Sequence, residues 1–168
     1  QCSCNHGNPG TNDSQAIRER KLVEHMKILI INSGSSSLKY QLFNPDTREI
    51  LAKGICERIG SAGNIVHNAP GKEPYKADIP MPTHSDAIRA VIHALTTGNC
   101  AVIDSLDEID AIGHRVLHGG AKFSGSMLVD DDVIAAIKEC IPLGPLHNPA
   151  NLMGIEACRE LMPDKPNV

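Results

Sequence analysis

Residues 26–43 decide the fold, because they combine two strand patterns and a polar turn in the sequence MKILIINSGSSSLKYQLF. The first pattern, KILIIN, is continuously aliphatic, which is typical of a strand that is covered on both faces. The second pattern, SLKYQLF, alternates, so that Leu38, Tyr40 and Leu42 lie on one face and polar residues on the other. We therefore predict a hairpin that begins a sheet.

Three more strand patterns follow the hairpin. A turn signal at residues 44–46, Asn-Pro-Asp, leads into the segment REILAKGICER, which predicts a third strand. The segment IVHN predicts a fourth strand, and KEPYKADIPM predicts a fifth whose prolines suit the edge of a sheet. Together these segments predict an antiparallel meander.

Helical patterns occupy the second half of the chain. The first, PTHSDAIRAVIHALTTG, has Thr83 and Asp86 at capping-box spacing, and Gly98 ends it. The second, DDDVIAAIKECI, carries acids in its first turn and an inward face that extends to Ile141. The third, NPANLMGIEACRELMP, opens with Asn148 as the N-cap. Because IDAIGHRVLHGG, between the first two helices, predicts a strand, we expect an α/β domain.

The composition excludes several classes of function. The 168 residues carry a net charge of -4, which argues against nucleic acid or an anionic membrane surface as the main partner. No apolar run approaches the roughly 20 residues that a membrane span needs. The six cysteines are scattered without a C-x-x-C pair, so we expect reduced thiols in a cytoplasmic protein.

Residues 1–25 differ from the rest of the chain. They are rich in Asn, Gly and Ser and contain little to bury, so we expect a disordered N-terminal extension with at most a short helix at residues 16–25. Cys2, Cys4 and His6 lie in this segment, and we interpret them as incidental rather than as a metal site. A core strand starts directly after Met26, so we expect the native protein to begin there.

The turn between the first two strands is a candidate phosphate site. A Walker-type phosphate loop is absent, because no second glycine separates Gly34 from Lys39 and a strand follows in place of a helix. Gly34 would still let the backbone approach a ligand, the serines at 35 to 37 offer donors, and Lys39 adds positive charge. Asn32 could give an oxygen to a hard cation such as Mg²⁺. A serine-glycine hairpin with a solvated lysine explains the same residues.

Two later segments contain further candidate residues. In GHRVLHGG, Arg115 and Leu117 point the same way on the predicted strand, so they could bind the carboxylate and the alkyl part of a small anion. A structural ion pair is the alternative for Arg115. In IPLGPLHNPANLMGI, His147 could donate to a phosphoryl oxygen near a helix N-terminus, or simply flank the helix. We interpret His67 and His84 as solvated or packing residues.

The three segments MKILIINSGSSSLKYQLF, GHRVLHGG and PLGPLHNPANLMGI together resemble signatures of the acetate kinase family, over residues 26–168. The resemblance implies a ribonuclease-H-like domain of the superfamily of acetate and sugar kinases, actin and heat-shock ATPases, which begins with a β-meander. It implies reversible phosphoryl transfer from ATP to acetate, giving acetyl phosphate and ADP, with Mg²⁺ or Mn²⁺. It also implies a cytoplasmic enzyme of organic acid metabolism that dimerises.

On the nucleotide side, the resemblance implies roles for residues of the turn. Asn32 corresponds to the asparagine at the magnesium site of the family, and Lys39 to its ATP-contacting lysine. Gly34, Ser35 and Ser37 would lie near the phosphates. The turn is then a phosphate cradle of a different design from the Walker loop.

On the acceptor side, the resemblance implies roles for four later residues. Arg115 matches the arginine that binds the substrate carboxylate, and Leu117 and Leu146 match the wall of the methyl pocket. His147 matches a histidine beside the transferring phosphoryl group. Positive charge around the phosphate suits this chemistry, because a carboxylate that attacks a polyphosphate brings two anions together.

The sequence also departs from the family pattern. The catalytic aspartate of the family lies in a Phe-Asp-Thr-Ala-Phe-His signature that would begin shortly after residue 168. We therefore expect residues 26–168 to be a truncated N-terminal domain that is inactive on its own. Propionate or butyrate kinase is the alternative within the family, although Leu117 favours the smaller substrate. A non-catalytic nucleotide-binding module is the alternative outside it.

Overall fold

A computed structural model describes residues 26–119, 123 and 125–168 of the chain, so the predictions for residues 1–25 lie outside the described residues. The strands run, in chain order, over Ile28–Ser33 (β1), Ser37–Asn44 (β2), Glu49–Glu57 (β3), Asn64–Asn68 (β4), Tyr75–Asp78 (β5) and Ala111–His114 (β6). The α-helices cover His84–Thr96 (α1), Asp131–Glu139 (α2) and Asn148–Leu161 (α3).

The strands form one mixed sheet in the order β5-β4-β3-β2-β1-β6. From β1 to β5 each strand pairs antiparallel with the next, whereas β6 pairs parallel with β1. The predicted meander is thus confirmed, and so is the edge position of the fifth strand. Because β1 and β6 run parallel, their carboxyl ends meet at the same end of the sheet.

Side chains alternate across the hairpin of β1 and β2. The three residues predicted to share one face of β2 are all buried. Leu29 and Ile31 of β1 are buried on that same face, whereas Ile30 points the other way and is 38% exposed. The expectation that β1 is covered on both faces was therefore wrong, because the described residues leave its second face partly open.

Helices α1 and α3 pack on the buried face of the sheet. Helix α1 begins at the predicted capping box, in which Thr83 Oγ1 accepts from the Asp86 N–H and the Asp86 carboxylate accepts from the Thr83 N–H. Its stripe of Ile88, Val91 and Leu95 is fully buried in the same aliphatic cluster as β1 and β2. Burying a side chain of this size contributes about 1.5–3 kcal/mol, so the cluster fixes the helix to the sheet.

Three predicted boundaries were wrong. Strand β6 ends at His114, so residues 115–119 are not strand and the predicted alternation of side chains does not apply to them. Ile141 lies in a 3-10 turn after α2 and is only half-buried. The N-cap of α3 is His147 rather than Asn148, because the Asn148 side chain bonds to a distant loop instead.

A close approach between α3 and β1 sets the position of this helix. Ser33, the last residue of β1, is buried against Gly154 of α3. A Cβ atom built on Gly154 would overlap Ser33 Oγ and lie 2.8 Å from Ser33 Cβ. Ser33 Oγ itself has no hydrogen-bond partner in the described part of the chain. The contact is therefore a steric fit, and it requires glycine despite the poor helix propensity of that residue.

A buried polar pair joins β2 to β4. The Tyr40 hydroxyl lies 2.5 Å from His67 Nδ1, and His67 Nε2 lies 3.1 Å from the Cys100 carbonyl oxygen. Since a carbonyl can only accept, Nε2 carries the proton and Nδ1 accepts from the tyrosine. Burial, together with the charge of Lys72, lowers the pKa of His67, and the hydrogen bond to Cys100 only partly offsets this. His67 is therefore a neutral core residue.

The four cysteines of the described residues form no disulfide. Cys56, Cys100, Cys140 and Cys158 are buried free thiols, and burial raises the pKa of Cys56 and Cys158 to about 12. Among the described residues, no helix combines the length and the apolar character that crossing a membrane demands.

We expect Gly154→Ala to destabilise the protein by about 1–3 kcal/mol, because the added methyl group overlaps Ser33. Urea unfolding followed by circular dichroism measures the change. Adding Ser33→Ala should recover part of the loss, since it removes the overlapping hydroxyl but leaves Cβ in place. Strict additivity of the two substitutions would show that this contact is not the cause.

We expect the free energy of unfolding to decrease as the pH falls below about 6.5. In that range the unfolded chain binds a proton at position 67, whereas the folded chain does not, because the pKa of His67 is lowered there. His114 acts in the same direction, since burial lowers its pKa as well. Urea unfolding at several pH values should show a shallower dependence of the free energy of unfolding on pH for His67→Gln than for the wild type. Equal slopes in the two proteins would contradict the assignment.

Candidate functional site

The turn between β1 and β2 is a tight hairpin at the carboxyl end of β1. The Gly34 N–H donates to the Ser37 carbonyl oxygen over 2.7 Å, and the Ser36 carbonyl oxygen accepts from the Ile59 N–H over 3.0 Å. Ser35 and Ser36 are exposed, and their N–H groups have no partner in the described part of the chain. Free backbone donors in a turn of this kind can bind an anion.

Asn32 and Lys39 lie side by side on the face of the sheet that points away from α1 and α3. They are directly paired in the register of β1 and β2, while their neighbours Ile31 and Tyr40 are buried on the other face. Lys39 is exposed and makes no ion pair with a described residue. The pair therefore presents an amide oxygen and a positive charge on one surface, next to the turn.

His84 holds the turn from the helix side. It is only 6% exposed at the start of α1, and its Nε2 lies 2.8 Å from the Gly34 carbonyl oxygen, to which it donates. The interpretation of His84 as a solvated or packing residue missed this contact. The helical pattern predicts where His84 lies on α1, but no local signal marks a partner 50 positions away.

Arg115 follows β6 directly, at the same end of the sheet as the turn. Its backbone N–H donates to the Ile31 carbonyl oxygen over 3.1 Å, which continues the pairing with β1 by one residue. Its side chain is exposed and has no hydrogen bond or ion pair with a described residue, whereas Arg58, Arg89 and Arg159 each pair with a carboxylate. The ion pair considered as the alternative for Arg115 is thus not found in the described part of the chain.

Arg115 and Leu117 line a cavity of about 630 Å³. Most of its wall is apolar, with side chains from β1, α2 and the segment between β6 and α2, among them Ile30, Val116, Phe123, Met127, Val133 and Ile137. A single guanidinium beside an apolar wall suits a ligand with one carboxylate and a short alkyl part. A second cavity, of about 600 Å³ near Glu49, Lys72 and Asp104, contains none of the predicted site residues.

Leu146 and His147 lie on the surface before α3. Both are exposed, Leu146 by 77%, and neither lines the cavity that contains Arg115. Leu117 approaches this surface at Gly144, where an added Cβ would lie 3.5 Å from Leu117 Cδ2. The structure therefore brings Leu117 together with Arg115, and it leaves Leu146 and His147 on the adjoining surface.

Two buried asparagines in the first turn of α3 hold the segment that follows β6. Asn148 donates through Nδ2 to the His118 carbonyl oxygen over 3.0 Å and accepts at Oδ1 from the His118 N–H over 3.3 Å. Asn151 accepts at Oδ1 from the Leu117 N–H over 3.2 Å and donates through Nδ2 to the Ser33 carbonyl oxygen over 2.8 Å. Sequence reasoning missed both roles, because it assigned Asn148 to a helix cap and gave Asn151 no role.

The described residues offer one candidate metal ligand at this site. They contain no group of three or more His, Cys, Asp or Glu side chains placed to hold a metal ion. The half-buried Asn32 has no side-chain hydrogen bond to a described residue, so its oxygen is available. Mg²⁺ keeps several waters and is usually bound by one or two carboxylates together with substrate phosphates, so the amide oxygen of Asn32 would supply one neutral ligand of such a site.

The comparisons with known proteins all point to one family. The acetokinase family model matches residues 27–168. Acetate kinase of Agathobacter rectalis is 54% identical over 143 residues, and that of Alkaliphilus metalliredigens is 56% identical over 144 residues. Each match covers 85% of this chain and 36% of the relative, so the chain spans about a third of the length of the curated relatives that it matches.

Solved structures show the same likeness. The structure of acetate kinase from Porphyromonas gingivalis matches with a TM-score of 0.82 at 40% identity, over 84% of this chain and 36% of that chain. A propionate kinase from Francisella tularensis matches with a TM-score of 0.76 at 36% identity, over 84% and 35%. The predicted α/β fold is thereby confirmed.

We expect His84→Leu to loosen the turn, because the Gly34 carbonyl oxygen loses its buried donor. Amide hydrogen exchange at Gly34, whose N–H bonds to the Ser37 carbonyl oxygen, should become about tenfold faster or more, as a loss of roughly 1.4 kcal/mol of local stability implies. His93→Leu is the matched control, since it changes an exposed histidine of the same helix. Equal exchange in the two variants would show that His84 does not hold the turn.

Proposed function

The chain belongs to the acetokinase family, and on this basis we propose that it forms part of an enzyme that transfers a phosphoryl group reversibly between ATP and acetate. The products of the forward reaction are acetyl phosphate and ADP. The observation that carries the proposal is Arg115, whose guanidinium has no partner among the described residues and borders an apolar cavity. Because the chain spans about a third of the length of its relatives, we expect other groups of the site in the rest of the enzyme.

The acceptor half of the proposed site recognises a small carboxylate. Arg115 pairs with the carboxylate through its planar fork of N–H donors, and Leu117 meets the methyl group. Leu146, on the adjoining surface that precedes α3, adds apolar surface for the methyl group. His147 donates a hydrogen bond to the phosphoryl group as it moves between donor and acceptor.

The nucleotide half of the proposed site uses the hairpin. The N–H groups and hydroxyls of Ser35 and Ser37, at a turn that Gly34 keeps narrow, face the phosphates, and Lys39 adds positive charge. Asn32 would hold Mg²⁺ or Mn²⁺ through its amide oxygen. When bound, the ion would neutralise negative charge on the phosphates of ATP.

These residues meet the demands of the reaction. A carboxylate oxygen attacks the γ-phosphorus in line with the leaving oxygen of ADP, so the protein must position two anions against their mutual repulsion. Arg115 on one side and Lys39 on the other reduce that repulsion, and neither needs to move a proton. A catalytic group on the remaining part of the enzyme completes the site.

Propionate kinase is the second candidate, favoured by the likeness to the Francisella tularensis propionate kinase. One additional methylene group changes binding by about 1–3 kcal/mol, so the pocket wall decides between the two acids. Leu117 makes the pocket narrower, which favours acetate. We further propose that the whole enzyme is a cytoplasmic homodimer, as the family resemblance implies.

We expect the complete enzyme to form acetyl phosphate from ATP, Mg²⁺ and acetate. In it, Arg115→Ala should lower kcat/KM for acetate by about 10²-fold or more, because a charge-assisted bidentate contact is lost. Arg89→Ala is the matched control, since Arg89 lies on the exposed face of α1 and pairs only with Glu160 among the described residues. A coupled assay of ADP release with acetate and with propionate measures both variants.

Several outcomes would contradict the proposal. ATP binding without turnover with any short carboxylate would favour a non-catalytic nucleotide-binding module. A preference for propionate by kcat/KM would shift the proposal to the second candidate. An Arg115→Ala enzyme as active as Arg89→Ala would remove Arg115 from the site.

A further inference from the structure

We propose that Asn151 is a positioning residue that holds the carboxylate-binding segment in place against the end of β1. Its two hydrogen bonds join the Leu117 N–H to the Ser33 carbonyl oxygen, across 34 and 118 positions of sequence. This inference rests on the proposed function, because it assigns Asn151 a role that acts through Arg115.

Arg115 depends on its backbone for its position. Its guanidinium has no partner among the described residues, so no hydrogen bond or ion pair of the side chain fixes it before a ligand binds. The backbone is held on one side by the bond from the Arg115 N–H to the Ile31 carbonyl oxygen. On the other side, two residues later, it is held by the bond from the Leu117 N–H to Asn151. Arg115 therefore lies between two backbone positions that are fixed by hydrogen bonds, and Asn151 makes the second of these bonds.

Asn151 is suited to this role because it is buried and both polar atoms of its side chain are hydrogen-bonded. It is only 6% exposed, and it lies one turn into α3, three residues before the Gly154 that packs against Ser33. The steric contact at Gly154 and the hydrogen bond at Asn151 both act on Ser33, so the helix cannot shift along β1 without breaking both. The position of Leu117 is thus fixed by the sheet rather than by a surface loop.

The nucleotide half of the site has supports of its own. The turn is fixed by the hairpin bond to Ser37, by Ile59 and by His84, and none of these involves α3. Loss of Asn151 should therefore disturb the carboxylate side more than the turn, which loses only the bond to the Ser33 carbonyl oxygen and keeps these three supports. This separation distinguishes a positioning role from a general contribution to stability.

The test uses Asn151→Leu in the complete enzyme. Leucine has a similar size but leaves the Leu117 N–H and the Ser33 carbonyl oxygen unpaired. We expect kcat/KM for acetate to fall about 10- to 100-fold, with a higher KM for acetate and a KM for ATP within about twofold of the wild type. Asn151→Asp retains an acceptor for the Leu117 N–H, so its KM for acetate should lie between those of the wild type and Asn151→Leu. If Asn151→Leu does not fold, Asn151→Asp carries the same comparison.

The control is Ile65→Ala, which destabilises the core at β4 without touching either half of the site. It should lower the thermal unfolding midpoint while leaving KM for acetate unchanged. An unchanged KM for acetate in the folded Asn151 variants, or equal rises in KM for acetate and ATP, would overturn the positioning role. A wild-type enzyme that turns over no carboxylate would overturn the proposed function, and this inference with it.

Discussion

The contact between α3 and the carboxyl end of β1 is the constraint on which the rest of the site depends. Gly154 lets the helix approach Ser33 so closely that no side chain fits between them. That approach brings the first turn of α3 within hydrogen-bonding distance of the Ser33 carbonyl oxygen and of the segment after β6. Without it, the segment that carries Arg115 would lose its hydrogen bonds to α3 and keep only the support of β6, which bonds to β1 and to residues 166–168.

The two halves of the site are built by different means. The turn starts from local chain geometry, because an antiparallel hairpin brings Asn32 and Lys39 opposite each other as soon as the register is set, and the bonds from Ile59 and His84 then support it. The carboxylate side requires a parallel strand, a helix and a buried amide that come from distant parts of the chain. The first half can form early from local contacts, whereas the second needs the complete arrangement of β1, β6 and α3.

This difference explains how much the sequence could predict. Alternation in β2, the capping box at Thr83 and the prolines around β5 are local patterns, and the structure confirms the elements that they predict. The strand pattern overran β6 because Val116 and Leu117 continue its apolar sequence, whereas the backbone N–H groups of Leu117 and His118 bond to α3 instead of a strand. The roles of His84 and Asn151 were missed for the same reason, since a hydrogen bond between distant segments leaves no periodic signal.

The proposed ligand carries a carboxylate, and this explains why no protein carboxylate pairs with Arg115 in the described structure. Elsewhere in the described structure, arginines pair with nearby carboxylates in exposed contacts that contribute little to stability. A protein carboxylate beside Arg115 would be easy to provide in a chain with a net charge of -4, but it would compete with a substrate carboxylate for the same donors. Leaving the guanidinium unpaired keeps its hydrogen bonds free for the ligand, and it obliges the backbone to hold the residue instead. The buried amide of Asn151 meets that requirement without adding a charge that would oppose the incoming anion.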